Sequence, residues 1–236
     1  MHSSVPTPSA PLTGISSMAT RLLLAELASS YTAVNGQTVR MESVGGVDAA
    51  RRLQAGETFD VAVLATDAID KLIATGNLRA DSKVDLVHSG VAVAVRAGTP
   101  PPDIGSEEAV RQAVLAASTL AYSTGPSGVA LAQLFERWGI AEQIKHRLVT
   151  APPGVPVGSL VASGAVALGF QQLSELLHVE GIAIVGPLPP VIQITTTFSA
   201  AITTACVRIA EASALLAYMA SPDTASAKRR QGMVPV

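Results

Sequence analysis

Short apolar runs alternate with amphipathic segments along most of this 236-residue chain. The alternation is typical of parallel β-strands joined by crossover helices, because the helices cover both faces of such strands. Short apolar runs predict strands at residues 12–15, 37–42, 59–64, 86–96, 119–123, 166–171, 182–185 and 192–204. Helical periodicity and capping residues predict helices between most of these strands, and two more at 207–220 and 222–231. This order of elements predicts an α/β fold.

The length allows two small domains with separate cores. The run Pro100-Pro101-Pro102 marks an extended connection after a long strand, and the β-branched stretch at 192–204 is long enough to return to the first lobe. We therefore predict a two-lobed fold in which each lobe is a mostly parallel sheet flanked by helices. Residues 11–91 and 192–236 form lobe I, residues 92–191 form lobe II, residues 1–10 form a disordered leader, and two crossing segments join the lobes.

Charge and composition argue against several classes of protein. The formal net charge is −2, with 16 basic and 18 acidic residues, so the chain offers no basic field for nucleic acid. No apolar stretch is long enough to insert across a membrane. The four histidines are widely spaced and Cys206 is the single cysteine, which predicts neither a metal site nor an internal disulfide. Glycine motifs that bind phosphate are missing too, so we expect no nucleotide and no other cofactor.

The first ten residues lack the cationic start and the apolar run of a signal peptide. As written, the chain is therefore expected in the cytoplasm. It would be periplasmic if a signal peptide has been removed.

Four turns between a strand and the next helix are small and polar, which is where open α/β sheets bind ligands. Backbone N–H groups and helix dipoles at such turns favour a small anion without a lysine or arginine. Serine and threonine there also serve as ordinary helix caps, worth about 1 kcal/mol each. The candidate ligand-binding residues of these turns are Ser16, Ser17, Ser43, Gly45, Gly46, Thr66, Ser127 and Gly128.

Arg51 follows the second of these turns and is a further candidate, since a guanidinium can bind a carboxylate through two hydrogen bonds. Its neighbour Arg52 follows Asp48 by four residues, a spacing that favours a solvated ion pair. A base for proton transfer has no clear signature. Asp48, Tyr122 and a serine hydroxyl near the turns are the available groups.

Several segments resemble, in order and spacing, the molybdate-binding-protein-like family of solute-binding proteins. They are Gly45-Gly46, QAGETFDVAV at 54–63, AYS at 121–123, GPSG at 125–128, LGFQQLSEL at 168–176, FSA at 198–200, ASP at 220–222 and Gly232. The resemblance covers the chain from Leu12 onward and implies a type II periplasmic-binding fold. The ligand contacts that it implies are Ser16, Ser17, residues 43–46, Thr66, Ser127, Gly128 and Gln171.

The chain departs from the molybdate-binding proteins near the end of the 168–176 segment. Those proteins carry a tyrosine near the place of Gln171 or Gln172 and are made with signal peptides. The segment instead resembles a branch of the family that contains aconitate isomerase, an enzyme on the same scaffold. A tetrahedral oxyanion needs only hydroxyl and N–H groups, whereas a polycarboxylate gains from an amide such as Gln171 and a forked donor such as Arg51.

Two functions follow from this resemblance. The first is a solute-binding protein that closes on an organic di- or tricarboxylate or an oxyanion, and delivers it to a membrane ABC permease if the chain is exported. The second is a cytosolic isomerase of a small unsaturated polycarboxylate, in which loop N–H groups stabilise the enolate-like charge formed by proton transfer. The glutamine pair and the leader favour an organic carboxylate.

Overall fold

The structure is a computed structural model that describes residues 10–152 and 154–236. The predicted disordered leader at 1–10 lies outside these residues, apart from Ala10. The strands are β1 Leu12–Ser17, β2 Val39–Val44, β3 Val61–Ala65, β4 Val84–Arg96, β5 Leu120–Tyr122, β6 Leu148–Thr150, β7 Leu168–Gln172, β8 Ile182–Pro187, β9 Thr195–Ile202 and β10 Met233–Pro235. The helices are α1 Arg21–Asn35, α2 Gly46–Gln54, α3 Thr66–Ala74, α4 Glu107–Ala116, α5 Pro126–Arg137, α6 Ala141–Ile144, α7 Val157–Ala162, α8 Leu173–Leu176, α9 Ile209–Ala220 and α10 Ala225–Arg230.

The strands follow the order β2-β1-β3-β9-β4-β7-β5-β6. Strands β2, β1 and β3 run parallel, and so do β7, β5 and β6. Strand β9 is antiparallel to β3 and β4, and β4 is antiparallel to β7, β8 and β10. The predicted α/β architecture is confirmed, since each parallel triplet consists of strands connected through helices.

Strand β4 belongs to both halves of the molecule. Its first part pairs with β9 and β10, and its second part, from Val91 onward, pairs with β7 and β8. Residues 188–194 connect β8 to β9 alongside β4, where the Val91 N–H donates to the Ile194 carbonyl. The chain therefore passes between the first sheet (β2, β1, β3, β9, β4 and β10) and the second sheet (β4, β8, β7, β5 and β6) at these two places. The residue boundaries of the two lobes stay a prediction.

Helices cover both faces of each sheet. Helix α1 buries Leu23, Leu24, Leu27 and Tyr31 against the first sheet, at spacings of three and four residues. Helices α1 and α9 share one apolar core on that face, and α2 and α3 share another core on the opposite face. Helices α4, α5 and α6 cover one face of the second sheet, while α7 and α8 cover the other. Parallel strands covered on both faces account for the apolar runs of the sequence.

The boundaries of several elements differ from the predicted ones. Strand β1 continues to Ser17 and a 3-10 turn follows at Met18–Thr20, so the helix predicted from residue 17 begins at Arg21. The short strands β6 and β10 have no predicted counterpart, because three residues are too few to show alternation. The predicted cap Ser106 is confirmed, since its hydroxyl accepts a 3.1 Å hydrogen bond from the Ala109 N–H.

Asp60 connects the start of the first sheet to the C-terminal part of the chain. Its carboxylate accepts hydrogen bonds from the Thr13 N–H at 2.8 Å, the Cys206 thiol at 3.3 Å and the Arg208 guanidinium at 3.2 Å. The Asp60 side chain is 14% exposed. Burial opposes the charged form, but the bonds from Thr13, Cys206 and Arg208 outweigh it and lower the pKa of Asp60.

We expect Asp60→Asn to lower the free energy of unfolding by about 1–3 kcal/mol at pH 7, because four donors, the Thr13 hydroxyl included, lose a charged acceptor. A carboxyl with a lowered folded-state pKa stabilises the protein above its unfolded pKa, and this contribution is lost as the pH falls through the folded value. The difference between variant and wild type, measured by urea unfolding, should therefore shrink in acid. The control is Asp81→Asn, since Asp81 is 79% exposed. Equal destabilisation by both substitutions would contradict this role of Asp60.

Candidate functional site

The two serines that end β1 have different environments. Ser16 is fully buried, and its hydroxyl forms a 2.8 Å hydrogen bond with the Ser43 hydroxyl of β2. Both face α1, since Ser16 lies on the same strand face as Leu12, which packs against that helix. The buried Ser17 hydroxyl has no hydrogen-bond partner among the described residues. The structure thus separates Ser17 from the paired serines Ser16 and Ser43.

Helix α2 begins beside Ser17. Gly46 is its first residue and Gly45 precedes it at the capping position, where no side chain caps the helix. A Cβ atom added to Gly46 would lie 3.5 Å from the Ser17 Cβ. The two glycines therefore leave the N–H groups at this helix end without a covering side chain, and such groups favour an anion.

The prediction that Thr66 caps a helix is wrong. Thr66 is the first residue of α3, Ala65 precedes it, and no side chain caps this helix. The Thr66 hydroxyl instead bonds to the Ser199 hydroxyl of β9 and, at 3.4 Å, to the Asp85 carboxylate of β4. The Thr66 hydroxyl therefore already has hydrogen-bond partners within the protein.

The loop before α5 brings a glycine against the backbone. A Cβ atom on Gly128 would lie 1.7 Å from the Ser123 carbonyl oxygen, so this close approach requires glycine. Gly125 is the N-cap residue of α5 and Pro126 is its first residue. Ser127 therefore lies within the first turn and caps nothing. The Ser127 side chain is buried and forms no hydrogen bond with the described residues.

The two glutamines that end β7 point to opposite faces of the second sheet. The Gln171 side-chain carbonyl accepts from the Gly158 N–H at 3.2 Å, and its amide donates to the Glu175 carboxylate at 2.9 Å. The Gln172 amide donates to the Thr196 hydroxyl at 2.9 Å, but its buried Oε1 has no partner among the described residues. Gln172, and not the predicted Gln171, therefore has a free polar atom.

Buried polar atoms without partners mark places where a protein leaves room for a ligand or for water. Four residues with such atoms form the polar cluster: Ser17, Ser89, Gln172 and Ser174. All four are at most 8% exposed. Within the described parts of the chain, Arg147 and Ser221 also carry unpartnered atoms, but neither belongs to the elements that surround the cluster.

Strand pairing brings Ser89 and Gln172 together, and a helix contact brings Ser174 near the end of β1. Ser89 of β4 pairs with Thr196, and Gln172 pairs with β4 two residues further along, so the Gln172 side chain passes Ser89 to reach Thr196. Ser174 follows Gln172 by two residues in α8, and α8 contacts the 3-10 turn that begins after Ser17. The cluster therefore lies at the carboxyl ends of β1 and β7, where the two sheets meet. Ligands of open α/β sheets bind at such ends.

The charged candidates at α2 lie outside the polar cluster. Arg51 is 73% exposed and forms an ion pair with Asp48. The predicted pair between Asp48 and Arg52 is wrong, because Arg52 binds Glu42 and Glu57. These charged side chains therefore lie on the outer side of helix α2, which covers the first sheet.

Glu175 is a titratable group that sequence reasoning did not single out. Burial raises the pKa of its carboxyl to about 7, although the hydrogen bond from Gln171 favours the charged form. Through Gln171 the carboxyl is linked to the Gly158 N–H at the start of α7. A carboxyl that exchanges its proton near neutral pH is therefore hydrogen-bonded to Gln171, the residue before Gln172 of the polar cluster.

The described ranges, 10–152 and 154–236, contain no group of three or more His, Cys, Asp or Glu side chains placed to hold a metal ion. None of the helices in these ranges is both long enough and apolar enough to cross a membrane. A groove of about 540 Å³ next to Ser43 lies between α1 and β2, apart from the polar cluster.

Sequence reasoning missed Ser89 and Ser174. Ser89 interrupts the apolar residues of a long strand, and Ser174 follows Gln172 in the segment that carries the family resemblance, so both signals were present. Neither signal shows that the hydroxyl lacks a partner. That property depends on which strands pair with β4, and the pairing is non-local.

We expect Glu175→Gln to stabilise the protein at pH 8.5 by about 1 kcal/mol or more, and to leave it almost unchanged at pH 5. Because the folded-state pKa is raised, the folded protein binds the extra proton between the unfolded value and about 7, so wild-type stability falls as the pH rises through that window. Glutamine is neutral throughout. Urea unfolding at both pH values measures the effect, with Glu142→Gln, 86% exposed, as the control. A variant that is less stable at pH 8.5 would contradict the raised pKa.

Other proteins are similar to this chain in sequence or in fold. The chain is 40% identical to an aconitate isomerase from Pseudomonas sp over 237 residues, covering 97% of this chain and 89% of that protein. The periplasmic molybdate-binding protein of Azotobacter vinelandii has a similar structure, with a TM-score of 0.79, 22% identity and coverage of 94% of this chain and 98% of that one. The sulfate-binding protein SubI of Mycobacterium tuberculosis H37Rv gives a TM-score of 0.77 at 14% identity, covering 96% and 87%.

These similarities confirm the predicted two-lobed periplasmic-binding fold. The structural likenesses are below 25% identity and show the fold alone. A family match covers nearly the whole chain, from residue 12 to residue 234. The chain belongs to the family of bacterial extracellular solute-binding proteins.

Proposed function

We propose that this chain binds aconitate at the polar cluster and interconverts its cis and trans forms. The observation that carries the proposal is the 40% identity to an aconitate isomerase, which extends over 97% of the chain. The oxyanion-binding proteins of similar fold are at most 22% identical. The predicted organic carboxylate therefore has closer support than an oxyanion.

The polar groups of the cluster suit a ligand with several carboxylates. Ser17, Ser174 and Ser89 offer hydroxyl donors, and the start of α2 at Gly46 offers backbone N–H groups. The Ser127 hydroxyl is a further donor at the start of α5, a helix that contacts β9. A tricarboxylate extends over several such donors at once, whereas a tetrahedral oxyanion needs fewer.

Isomerisation requires one proton transfer in each direction. A base removes a proton from the methylene carbon of aconitate, and the electron pair is shared over three carbons and the adjacent carboxylates. Return of a proton to the former vinyl carbon moves the double bond and allows the other geometry, with no oxidant or reductant. Hydroxyl and N–H donors that hold the carboxylates stabilise the charge as it develops.

The direct test is incubation of the wild-type protein with trans-aconitate in D₂O. We expect cis-aconitate to appear by chromatography, with deuterium in the carbon-bound positions by NMR, because the transferred proton exchanges with solvent. Heat-denatured protein is the control. Absence of any interconversion at substrate concentrations that saturate binding would rule out the isomerase.

A solute receptor is the second candidate, and membership of the extracellular solute-binding family favours it. Such a protein binds the same carboxylate, leaves it unchanged and delivers it to a membrane ABC permease. Tight binding of aconitate without conversion or deuterium incorporation would support the receptor.

We expect Ser127→Ala to weaken aconitate binding by about 1 kcal/mol or more without lowering the melting temperature, because its hydroxyl caps nothing and bonds to no described residue. Ser106→Ala is the matched control. Ser106 caps α4, so its loss should lower stability by about 0.5–2 kcal/mol and leave binding unchanged. Calorimetry and thermal unfolding separate the two effects. Unchanged affinity in Ser127→Ala would remove this serine from the site.

A further inference from the structure

Lys228 is a buried cation without a partner. Its side chain is 1% exposed, among the largest fully buried side chains of the described residues. Its ammonium group forms no hydrogen bond or ion pair with any residue in the described ranges. Its neighbours in sequence, Arg229 and Arg230, are exposed, and Arg230 pairs with Glu26. Burial of a lysine is costly unless a negative group compensates it.

The elements around Lys228 adjoin those that carry the polar cluster. Helix α10 packs against α1 and β10, and Met233 of β10 pairs with Ser89. Strands β10 and β7 follow one another along the same edge of β4, since Met233 pairs with Ser89 and Gln172 pairs two residues further on. Between α10 and β10, Gly232 packs against Leu173, the residue after Gln172. Helix α10, which carries Lys228, therefore lies beside the part of β4 that holds Ser89 and beside the end of β7 that holds Gln172.

We propose that Lys228 is the cation of the ligand site and that its ammonium group pairs with one carboxylate of the bound ligand. The proposal rests on the proposed function and deepens it, because it assigns the positive charge that the surface residue Arg51 does not supply. The neighbouring hydroxyls of Ser89 and Ser17 bond to the same ligand.

The ligand-free protein is consistent with this role. Burial lowers the pKa of the Lys228 amine, and a carboxylate bound beside it would favour the charged form. Replacement of a lysine with a purely structural role by an apolar side chain would not change the affinity for a ligand. A lysine that binds a carboxylate makes the empty protein less stable and the complex tighter, a compromise that is common at functional sites.

The test compares Lys228→Met with wild type in two measurements. We expect the melting temperature of the ligand-free variant to rise by about 2 °C or more, since a buried amine is removed. We expect its affinity for trans-aconitate, measured by calorimetry, to fall by about 30-fold or more. Lys83→Met is the matched control, because Lys83 pairs with Asp70 at 2.6 Å outside the cluster, and it should not weaken binding.

Each other outcome has a definite meaning. Unchanged affinity in Lys228→Met overturns the inference, and so does failure of both Lys228→Met and Lys228→Gln to fold, which would show a purely structural lysine. Failure of the proposed function has a different sign, because the wild-type protein itself would then not bind aconitate in calorimetry. The melting temperature of Lys228→Met is measured in that case too, and a melting temperature below that of the wild type would overturn the inference by itself.

Discussion

Strand β4 holds the two sheets in one backbone hydrogen-bond network. Its first part pairs with β9 and β10 and its second part with β7 and β8, so the carboxyl end of β7 is fixed relative to the first sheet. Side chains two residues apart on a strand share a face. Ser89 and Val91, the strand partner of Gln172, are spaced in this way. This register brings the Ser89 and Gln172 side chains of the polar cluster together.

The cluster leaves polar atoms unsatisfied in a well-packed interior. A buried polar atom that stays without a partner costs about 1–3 kcal/mol, so ordered water or a ligand supplies the missing bonds at such places. Oxyanion receptors and an aconitate isomerase occur on this fold, so the scaffold itself does not choose between capture and conversion. The choice depends on which donors and ionisable groups meet the ligand.

Burial shifts the pKa values of two ionisable groups, Glu175 and Lys228, in the direction that favours their neutral forms. The pKa of Glu175 rises to about 7 and the pKa of Lys228 is lowered, each because the charged form loses hydration. Glu175 is hydrogen-bonded to Gln171, while Lys228 has no partner among the described residues. For each group, an opposite charge placed nearby would favour the charged form.

The sequence by itself determined the α/β fold, most strands and helices, and the family, because hydrophobic periodicity and glycine turns are local properties. It also located Ser17 and Gly46 where a strand ends and a helix begins. Only the tertiary structure showed that Thr66 bonds to Ser199, that Gln172 and not Gln171 has a free atom, and that Lys228 is buried while Arg229 is exposed. These properties depend on non-local strand pairing and on which face of a short helix meets its neighbours, and a local pattern contains neither.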